Sequence, residues 1–111
     1  MIKIVDSRNR RAVRSLLAPE RARAAFAAAS ARHPDTAFVF GSYTEERRNR
    51  LTVWRGGDEI ARYDKVHLFR FTRGLETYDE AATIAPGCEV STFMVTPAEG
   101  PALKVGLSVC Y

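Results

Sequence analysis

The chain has 111 residues, 46% of them hydrophobic and 27% charged, which corresponds to one small globular domain or to part of a larger one. The longest unbroken apolar run covers residues 24–29 and is far shorter than the roughly 20 residues of a membrane-spanning helix. Charged residues follow Val5, where a secretory signal would have an apolar stretch. We therefore expect that the protein does not have two domains, does not bind a membrane and does not carry a secretory signal.

The net charge of +4 is unevenly distributed along the chain. Residues 1–55 carry 12 Lys or Arg against 5 Asp or Glu, a net of +7, whereas residues 56–111 carry 5 against 8, a net of −3. A nucleic-acid surface would interleave such basic residues with aromatic ones, but Phe26 is the only aromatic residue among the first 36. We therefore interpret the arginines as solvated helix surface and expect no nucleic-acid partner. A phosphate-binding face is the alternative.

The two cysteines, Cys88 and Cys110, do not form a C-x-x-C pair, and only two histidines accompany them, so the usual four-ligand zinc site is excluded. Isolated cysteines are typical of a reducing compartment. We therefore predict a cytoplasmic protein.

An α-helix is predicted over residues 19–32. Pro19 suits its first turn, Glu20 lies favourably near its N-terminus, and the residues that follow are rich in alanine, the best helix former. Pro34 ends it. Its apolar face is expected to consist of small residues and one aromatic residue, namely Leu17, Ala24, Phe26, Ala28 and Ala31. The segments before it are predicted as a short strand and a short basic helix, residues 1–5 and 9–17.

Extended structure is predicted from residue 37 onward, where β-branched and aromatic residues replace the alanines. Gly56 and Gly57 supply the positive φ angles that a tight hairpin needs, so the strands around them form a meander. A long polar loop with little periodicity, residues 72–86, is of a kind that is more often functional than idle. The predicted strands cover residues 37–43, 51–54, 59–63, 90–95 and 103–109.

The last predicted strand alternates between an apolar face and a face of small or polar residues. Cys110 follows it on the face of Gly106 and Ser108, where small neighbours leave room around a thiol. Strand ends in α/β sheets commonly carry reactive groups, so Cys110 is a candidate nucleophile, although free cysteines more often only fill space. Cys88 lies in a loop and is not favoured.

Two charged residues are candidates for the partners of such a nucleophile. Lys65 lies among apolar residues, where a partly desolvated ammonium is suited to stabilising negative charge on a substrate oxygen. The alternative is a surface lysine that is paired with Asp64. Glu80 is a candidate for holding the lysine in place, and the alternative is a solvated carboxylate of the long loop.

Three ordered segments carry a family resemblance: Arg62-Tyr-Asp-Lys-Val-His-Leu-Phe69, then Glu80 followed six residues later by Pro86-Gly87, then Lys104-Val-Gly-Leu-Ser-Val-Cys-Tyr111. Together they resemble the carbon-nitrogen hydrolase (nitrilase) superfamily, and local stretches are especially similar to bacterial amidases of the omega-amidase type. The resemblance covers roughly residues 37–111 and includes Asn49 and the Gly56-Gly57-Asp58 turn.

The resemblance implies a hydrolase that acts on carbon–nitrogen bonds other than peptide bonds and converts a small amide or nitrile into an acid and ammonia. Cys110 matches the nucleophile, which forms a thioester acyl-enzyme. Lys65 matches the lysine that stabilises the oxyanion together with the backbone N–H of Tyr111, and Glu80 matches the glutamate that positions this lysine. No metal or organic cofactor is implied, and the full-length family members are expected to form homo-oligomers.

The resemblance also implies an α/β fold, a partial α-β-β-α sandwich in which a helix covers a mixed sheet and the second half is missing. Residues 19–111 are assigned to this partial domain, and residues 1–18 to an atypical basic N-terminal segment. Glu20 is a poor match for the general base of the family, and further family motifs are expected after Tyr111. We therefore expect a fragment that is inactive alone. The alternative is a non-catalytic interaction module whose arginine-rich N-terminal stretch binds an acidic partner.

Overall fold

The computed structural model describes residues 2–5 and 18–110. In this part of the chain there are one α-helix, α1 (Pro19–Ala31), and eight β-strands. The strands are β1 (Ile2–Val5), β2 (Ala37–Glu45), β3 (Arg48–Arg55), β4 (Asp58–Asp64), β5 (Arg70–Arg73), β6 (Glu76–Asp79), β7 (Thr92–Val95) and β8 (Leu103–Gly106). The basic helix predicted over residues 9–17 lies outside the described residues.

The largest sheet has the order β1-β2-β3-β4, with β1 parallel to β2 and the other neighbours antiparallel. The predicted meander is confirmed, because Gly56 and Gly57 close the β3–β4 hairpin with φ angles of 59° and 91°. Glu46 and Arg47 close the β2–β3 hairpin in the same left-handed region, with φ angles of 50° and 60°. Because neither is glycine, each costs on the order of 1 kcal/mol in backbone strain.

The sheet separates two apolar clusters, since neighbouring residues of a strand point to opposite faces. One face packs against β7 and β8 and forms the larger cluster: Ala37, Val53, Tyr63, Phe93, Val95 and Leu107. The other face packs against α1 and is mostly aromatic: Phe26, Phe38, Phe40 and Trp54. The rings of Phe26 and Phe40 stack at 4.1 Å between centroids and fix the helix on the sheet.

The helix itself and the inward position of Phe26 are confirmed, but the alanines predicted for its apolar face are wrong, and Leu17 lies outside the described residues. Ala24, Ala28 and Ala31 are exposed, and the buried positions are Ala22 and Ser30. In a run of alanines the pattern hardly distinguishes one face from another, so the single large side chain, Phe26, decides which face turns inward. No helix in residues 18–110 is long and apolar enough to cross a membrane.

The predicted fold class, an α/β partial α-β-β-α sandwich with a helix on a single mixed sheet, is also wrong. Strands hold many more of the described residues than the one α-helix does, and these strands are divided among one four-stranded and two two-stranded sheets. The strands that follow β4 pair with their own neighbours in sequence instead of extending the first sheet. Such local pairing has a low loop-closure cost, and Gly74, with a φ of 60°, allows the two-residue turn between β5 and β6.

The loop predicted over residues 72–86 and the strand predicted over residues 103–109 also differ from the structure, because these segments belong to locally paired strands. The long loop predicted over residues 72–86 contains most of the β5–β6 hairpin and a short 3-10 helix, Glu80–Ala82. The last strand ends at Gly106, four residues before Cys110, because its partner β7 begins at the opposite residue, Thr92. Leu107 adds one further hydrogen bond, from its N–H to the carbonyl of Ser91 at 3.0 Å.

Candidate functional site

Lys65 is the first residue after β4, and its backbone is held from both sides. Its N–H donates to the carbonyl of Asn49 at 2.9 Å, which continues the β3–β4 ladder by one residue. Its carbonyl accepts the N–H of Gly87 at 2.8 Å. Only 4% of the residue is exposed. The lysine is therefore a fixed, buried cation, and the alternative of a solvated surface lysine does not apply.

Glu80 reaches the same place because the β5–β6 hairpin returns the chain to its own starting point. The N–H of Glu80 donates to the carbonyl of Phe69 at 3.0 Å. Asp79 caps the 3-10 helix that begins at Glu80, since its carboxylate accepts the N–H of Ala81 at 3.0 Å. Glu80 is 7% exposed, so its carboxylate is directed inward and is not solvated in a loop.

The two charged groups form a buried ion pair. Lys65 Nζ lies 2.6 Å from Glu80 Oε2, and the backbone N–H of Phe69 donates to the same oxygen at 2.8 Å. The side chain of Asn49 donates to the other oxygen, Oε1, at 3.2 Å. Burial by itself would raise the pKa of Glu80, but the hydrogen bonds from Lys65, Phe69 and Asn49 together lower this pKa below its ordinary value. The glutamate is therefore held as the anion.

A second ion-pair network lies next to the first, at Asp64. Arg50 is 5% exposed and binds the Asp64 carboxylate with two nitrogens, at 2.7 and 3.0 Å, while its third nitrogen binds Glu45 at 2.5 Å. The hydrogen bonds from Arg50 to Asp64, opposed by its burial, raise the pKa of the arginine further. Since Asp64 is engaged by Arg50, the predicted alternative of a Lys65–Asp64 pair is wrong.

Cys110 stands apart from the ion pair. It is exposed, and no hydrogen bond within residues 18–110 joins it to Lys65 or Glu80. Val109 precedes Cys110 and Val66 follows Lys65. These two valines pack against the same apolar cluster, so they lie on the same side of the large sheet. The φ angle of Cys110, 63°, is in the left-handed region, which is unusual for cysteine. Tyr111, predicted to supply an oxyanion N–H, lies outside the described residues.

Glu20 is far from this arrangement. It is exposed in the first turn of α1, and that helix packs against the opposite face of the sheet, on the cluster of Phe38, Phe40 and Trp54. Within residues 18–110 there is no group of three or more His, Cys, Asp or Glu side chains that could hold a metal ion.

The arginines of the helix are only partly solvated. Arg21 and Arg32 are exposed, as predicted for helix surface. Arg23 instead lies over the ring of Trp54 and pairs with Glu59 at 2.6 Å. The more N-terminal arginines lie outside the described residues.

An open cavity of about 300 Å³ lies beside the end of β4. Its lining combines three arginines with three carboxylates and the thiol of Cys88: Glu46, Arg48, Arg50, Arg62, Asp64, Gly87, Cys88, Glu89 and Ser91. Cys110 and the Lys65–Glu80 pair do not line it, so Cys88, and not the predicted nucleophile, faces this cavity.

Sequence reasoning gave no role to Asn49, which contacts both members of the pair. The predicted strand begins at residue 51, so the sequence did not place Asn49 in a strand, although the family resemblance includes this residue. The backbone N–H of Phe69 carried no signal in the sequence.

No protein-family model matches the chain, and a comparison with curated proteins likewise finds no match. The family resemblance therefore depends on the motifs alone. The contact between Lys65 and Glu80 is found in the structure, whereas the catalytic roles of Lys65, Glu80 and Cys110 stay predictions.

Proposed function

We propose that the chain carries part of a cysteine-dependent hydrolase site for carbon–nitrogen bonds, in which Cys110 is the nucleophile and Lys65 stabilises the oxyanion. The observation that carries this proposal is the buried contact of 2.6 Å between Lys65 Nζ and Glu80 Oε2. It joins two of the residues that the resemblance selects, over a separation of 15 positions.

The ion pair is suited to stabilising an oxyanion because the lysine keeps unused donors. An ammonium group has three N–H bonds, and Glu80 is the acceptor that the described residues offer to one of them. Residues 18–110 provide no acceptor for the other two, and we propose that these bind a substrate oxygen. Because the pair is buried and its backbone is fixed, the positive charge is preorganised. A preorganised, buried charge stabilises an oxyanion far more strongly than a solvated charge does.

The backbone at Cys110 supports its assignment as the nucleophile. A left-handed conformation at a non-glycine residue costs on the order of 1 kcal/mol and occurs at functional sites as well as in tight turns such as that of Glu46 and Arg47. Cys110 is also exposed, so a substrate can approach its sulfur.

The proposed reaction begins when the Cys110 thiolate attacks the carbonyl carbon of an amide, forming a C–S bond and an oxyanion that Lys65 stabilises. When the oxyanion collapses, the C–N bond breaks, and the nitrogen takes up a proton from solvent water and leaves as ammonia or an amine. Water then hydrolyses the thioester, which releases the acid and restores the thiol. Glu80 positions the lysine throughout.

Turnover by this chain alone is expected to be slow. Among the described residues, Glu80 is the only carboxylate that is hydrogen-bonded to Lys65, and its two oxygens already accept three hydrogen bonds. It is therefore not free to act as the general base. A general base contributes roughly 10²- to 10⁴-fold to such reactions, so tests of this site are best made on thiol reactivity.

The proposal places the Lys65 ammonium close to the Cys110 sulfur, and a nearby cation stabilises a thiolate. It therefore predicts that iodoacetamide modifies Cys110 faster than Cys88 at neutral pH and that Lys65→Ala slows modification of Cys110 by about tenfold. Peptide mass spectrometry resolves the two cysteines. Lys104→Ala is the matched control, since it removes an exposed lysine much closer in sequence to Cys110. This variant should leave the rate within about twofold of the original, because solvated charges are screened.

Lys65→Ala leaves Glu80 buried without its partner, so a double variant, Lys65→Ala with Glu80→Gln, removes both charges and guards against unfolding. Equal labelling of Cys88 and Cys110, or a Cys110 rate unchanged in folded Lys65→Ala or in the double variant, would contradict the proposal. Indifference to these substitutions is what the alternative of an interaction module predicts.

A further inference from the structure

Asn49 contacts both members of the ion pair by different groups. Its backbone carbonyl accepts the N–H of Lys65 at 2.9 Å, and its side-chain amide donates to Glu80 Oε1 at 3.2 Å. The residue lies near the start of β3, between β2 and β4, so its own backbone belongs to the middle of the large sheet.

The Asn49 side chain binds the Glu80 carboxylate oxygen that the other donors do not contact. Lys65 and the N–H of Phe69 both bind Oε2, so in residues 18–110 the Asn49 amide is the only side-chain donor to Oε1. A carboxylate bound at one oxygen alone can rotate about its last torsion, which is broad for glutamate. A donor at the second oxygen fixes the plane of the carboxylate, and with it the direction of the lysine.

From this arrangement we infer that Asn49 is a positioning residue, which holds the Lys65 backbone and the Glu80 carboxylate in one rigid unit so that the ammonium keeps a fixed direction. Its role in a reaction rests on the proposed function above. The structural role of Asn49, which is to hold Glu80 and the Lys65 backbone together, depends only on its two hydrogen bonds to these residues.

The charged groups around Glu80 agree with this assignment. Lys65 approaches from the end of β4 and supplies the positive charge. Asp79, at the end of β6, is turned to the N–H of Ala81 and lies 3.7 Å from Arg70. Asn49 is uncharged, so it adds a hydrogen bond without competing with Lys65 for the carboxylate. An aspartate in its place would put a second carboxylate beside Glu80 Oε1, where like charges repel.

Two variants test the role of the amide donor. Asn49→Leu keeps the approximate shape of the side chain and removes the donor, whereas Asn49→Asp keeps the shape and replaces the donor with an acceptor. Both retain the backbone carbonyl that binds Lys65. Thr44→Val is the matched control, because Thr44 is the residue opposite Asn49 on β2 and makes no hydrogen bond to Glu80.

The first readout is the titration of the Glu80 carboxyl carbon, followed by NMR in protein with labelled glutamate and assigned with Glu80→Gln. Both Asn49 variants are expected to raise the pKa of Glu80, Asn49→Asp the more strongly, while Thr44→Val leaves it unchanged. A merely space-filling role for Asn49 would not move this titration. An unchanged titration in folded Asn49→Leu or Asn49→Asp would overturn the inference.

The second readout separates this inference from the proposed function. Asn49→Leu is expected to slow iodoacetamide modification of Cys110 by roughly threefold to tenfold, since a Glu80 carboxylate that can rotate no longer holds the Lys65 ammonium in one direction. If Lys65→Ala slows this reaction and folded Asn49→Leu does not, the positioning role is wrong and the proposed function stands. If Asn49→Leu raises the pKa of Glu80 while Lys65→Ala leaves Cys110 unchanged, the proposed function is wrong, and the reactive role of Asn49 is wrong with it.

Discussion

Two buried ion pairs begin at adjacent residues of the chain, Asp64 and Lys65, and they differ in how many carboxylates hold the cation. Arg50 directs all three of its guanidinium nitrogens to the carboxylates of Asp64 and Glu45. Lys65 directs its ammonium to Glu80, and the donors that remain have no acceptor assigned to them in the described part of the chain. All three nitrogens of Arg50 are held between two carboxylates, whereas the described residues hold Lys65 by one, so we propose Lys65 as the cation that binds a ligand.

The difference between the two ion pairs indicates how the end of β4 can be both rigid and reactive. The Arg50 network fastens Asp64 to β2 and β3, so the backbone that continues into Lys65 starts from a fixed position. The Lys65 network then has to orient only one side chain. This division of roles predicts that substitutions at Arg50 act on stability, while substitutions at Lys65, Glu80 and Asn49 act on reactivity as well.

The largest effect is expected from Arg50→Ala. It leaves the carboxylates of Asp64 and Glu45 without their buried partner, and breaking such a pair costs about 3–5 kcal/mol of unfolding free energy. Urea denaturation at neutral pH measures the loss. Arg62→Ala is the control, because the Arg62 side chain is 46% exposed and its pair with Glu59 should contribute less than about 1 kcal/mol. Similar losses in both variants would remove the distinction.

A smaller effect, about 3 kcal/mol, is expected from Glu80→Gln at neutral pH, because glutamine keeps an acceptor for hydrogen bonds but removes the charge that compensates the buried Lys65. Its pH dependence has a defined sign. The pKa of Glu80 is lower in the folded protein than its ordinary value, so its contribution is present above the ordinary value and is lost as the pH falls through the folded one.

The stability difference between the original protein and Glu80→Gln should therefore shrink when urea denaturation is repeated at successively lower pH, below about pH 4.5. A difference that stays constant down to about pH 2 would show that the charge of Glu80 is not the source of its contribution.

Gly87→Ala is expected to cost about 1–2 kcal/mol. A Cβ atom at this position would overlap the backbone carbonyl oxygen of Asp64, so the segment carrying Pro86 has to move away from the strand end. This segment is otherwise held by the Gly87 N–H on Lys65 and by the Arg48 side chain on Pro86. Gly106→Ala is the matched control, because no atom lies within 4 Å of its added Cβ. Equal thermal midpoints for the two variants would contradict the close approach.

The smallest effect is expected from Arg70→Ala. Its pair with Asp79 spans 3.7 Å, and the two side chains are 72% and 37% exposed. Exposed pairs of this kind contribute at most about 0.5 kcal/mol, so urea denaturation should detect little change. A loss as large as that of Glu80→Gln would show that the β5–β6 hairpin depends on this pair.

The sequence was informative where a local rule acts on a few residues. Gly56 and Gly57 predicted their hairpin, and Pro19 and Pro34 bounded the helix, because these residues restrict the backbone directly. The fold class was wrong because the partner of a strand is a property of the whole chain. The alternation of residues 103–109 predicts a strand but not that it pairs with β7 in a separate sheet.

The candidate site shows the same limit. Lys65 and Glu80 were identified through a resemblance, and their contact depends on a hairpin that was predicted as an irregular loop. Arg50 and Asn49 were missed as partners, since strand periodicity does not show which polar groups meet across strands. A buried strand position occupied by arginine or asparagine is the sequence signal that comes nearest to indicating such a role.

The most direct test of the Lys65–Glu80 site is acylation by a p-nitrophenyl ester of a short acid, because this leaving group needs no proton and the test does not depend on a general base. Intact and peptide masses after acid quenching locate the acyl group. We predict a thioester on Cys110 that forms at least about tenfold faster than on Cys88, and a Cys110 rate that falls by a similar factor in Lys65→Ala but not in Lys104→Ala. Acylation of both cysteines at the same rate, with no dependence on Lys65, would contradict the account.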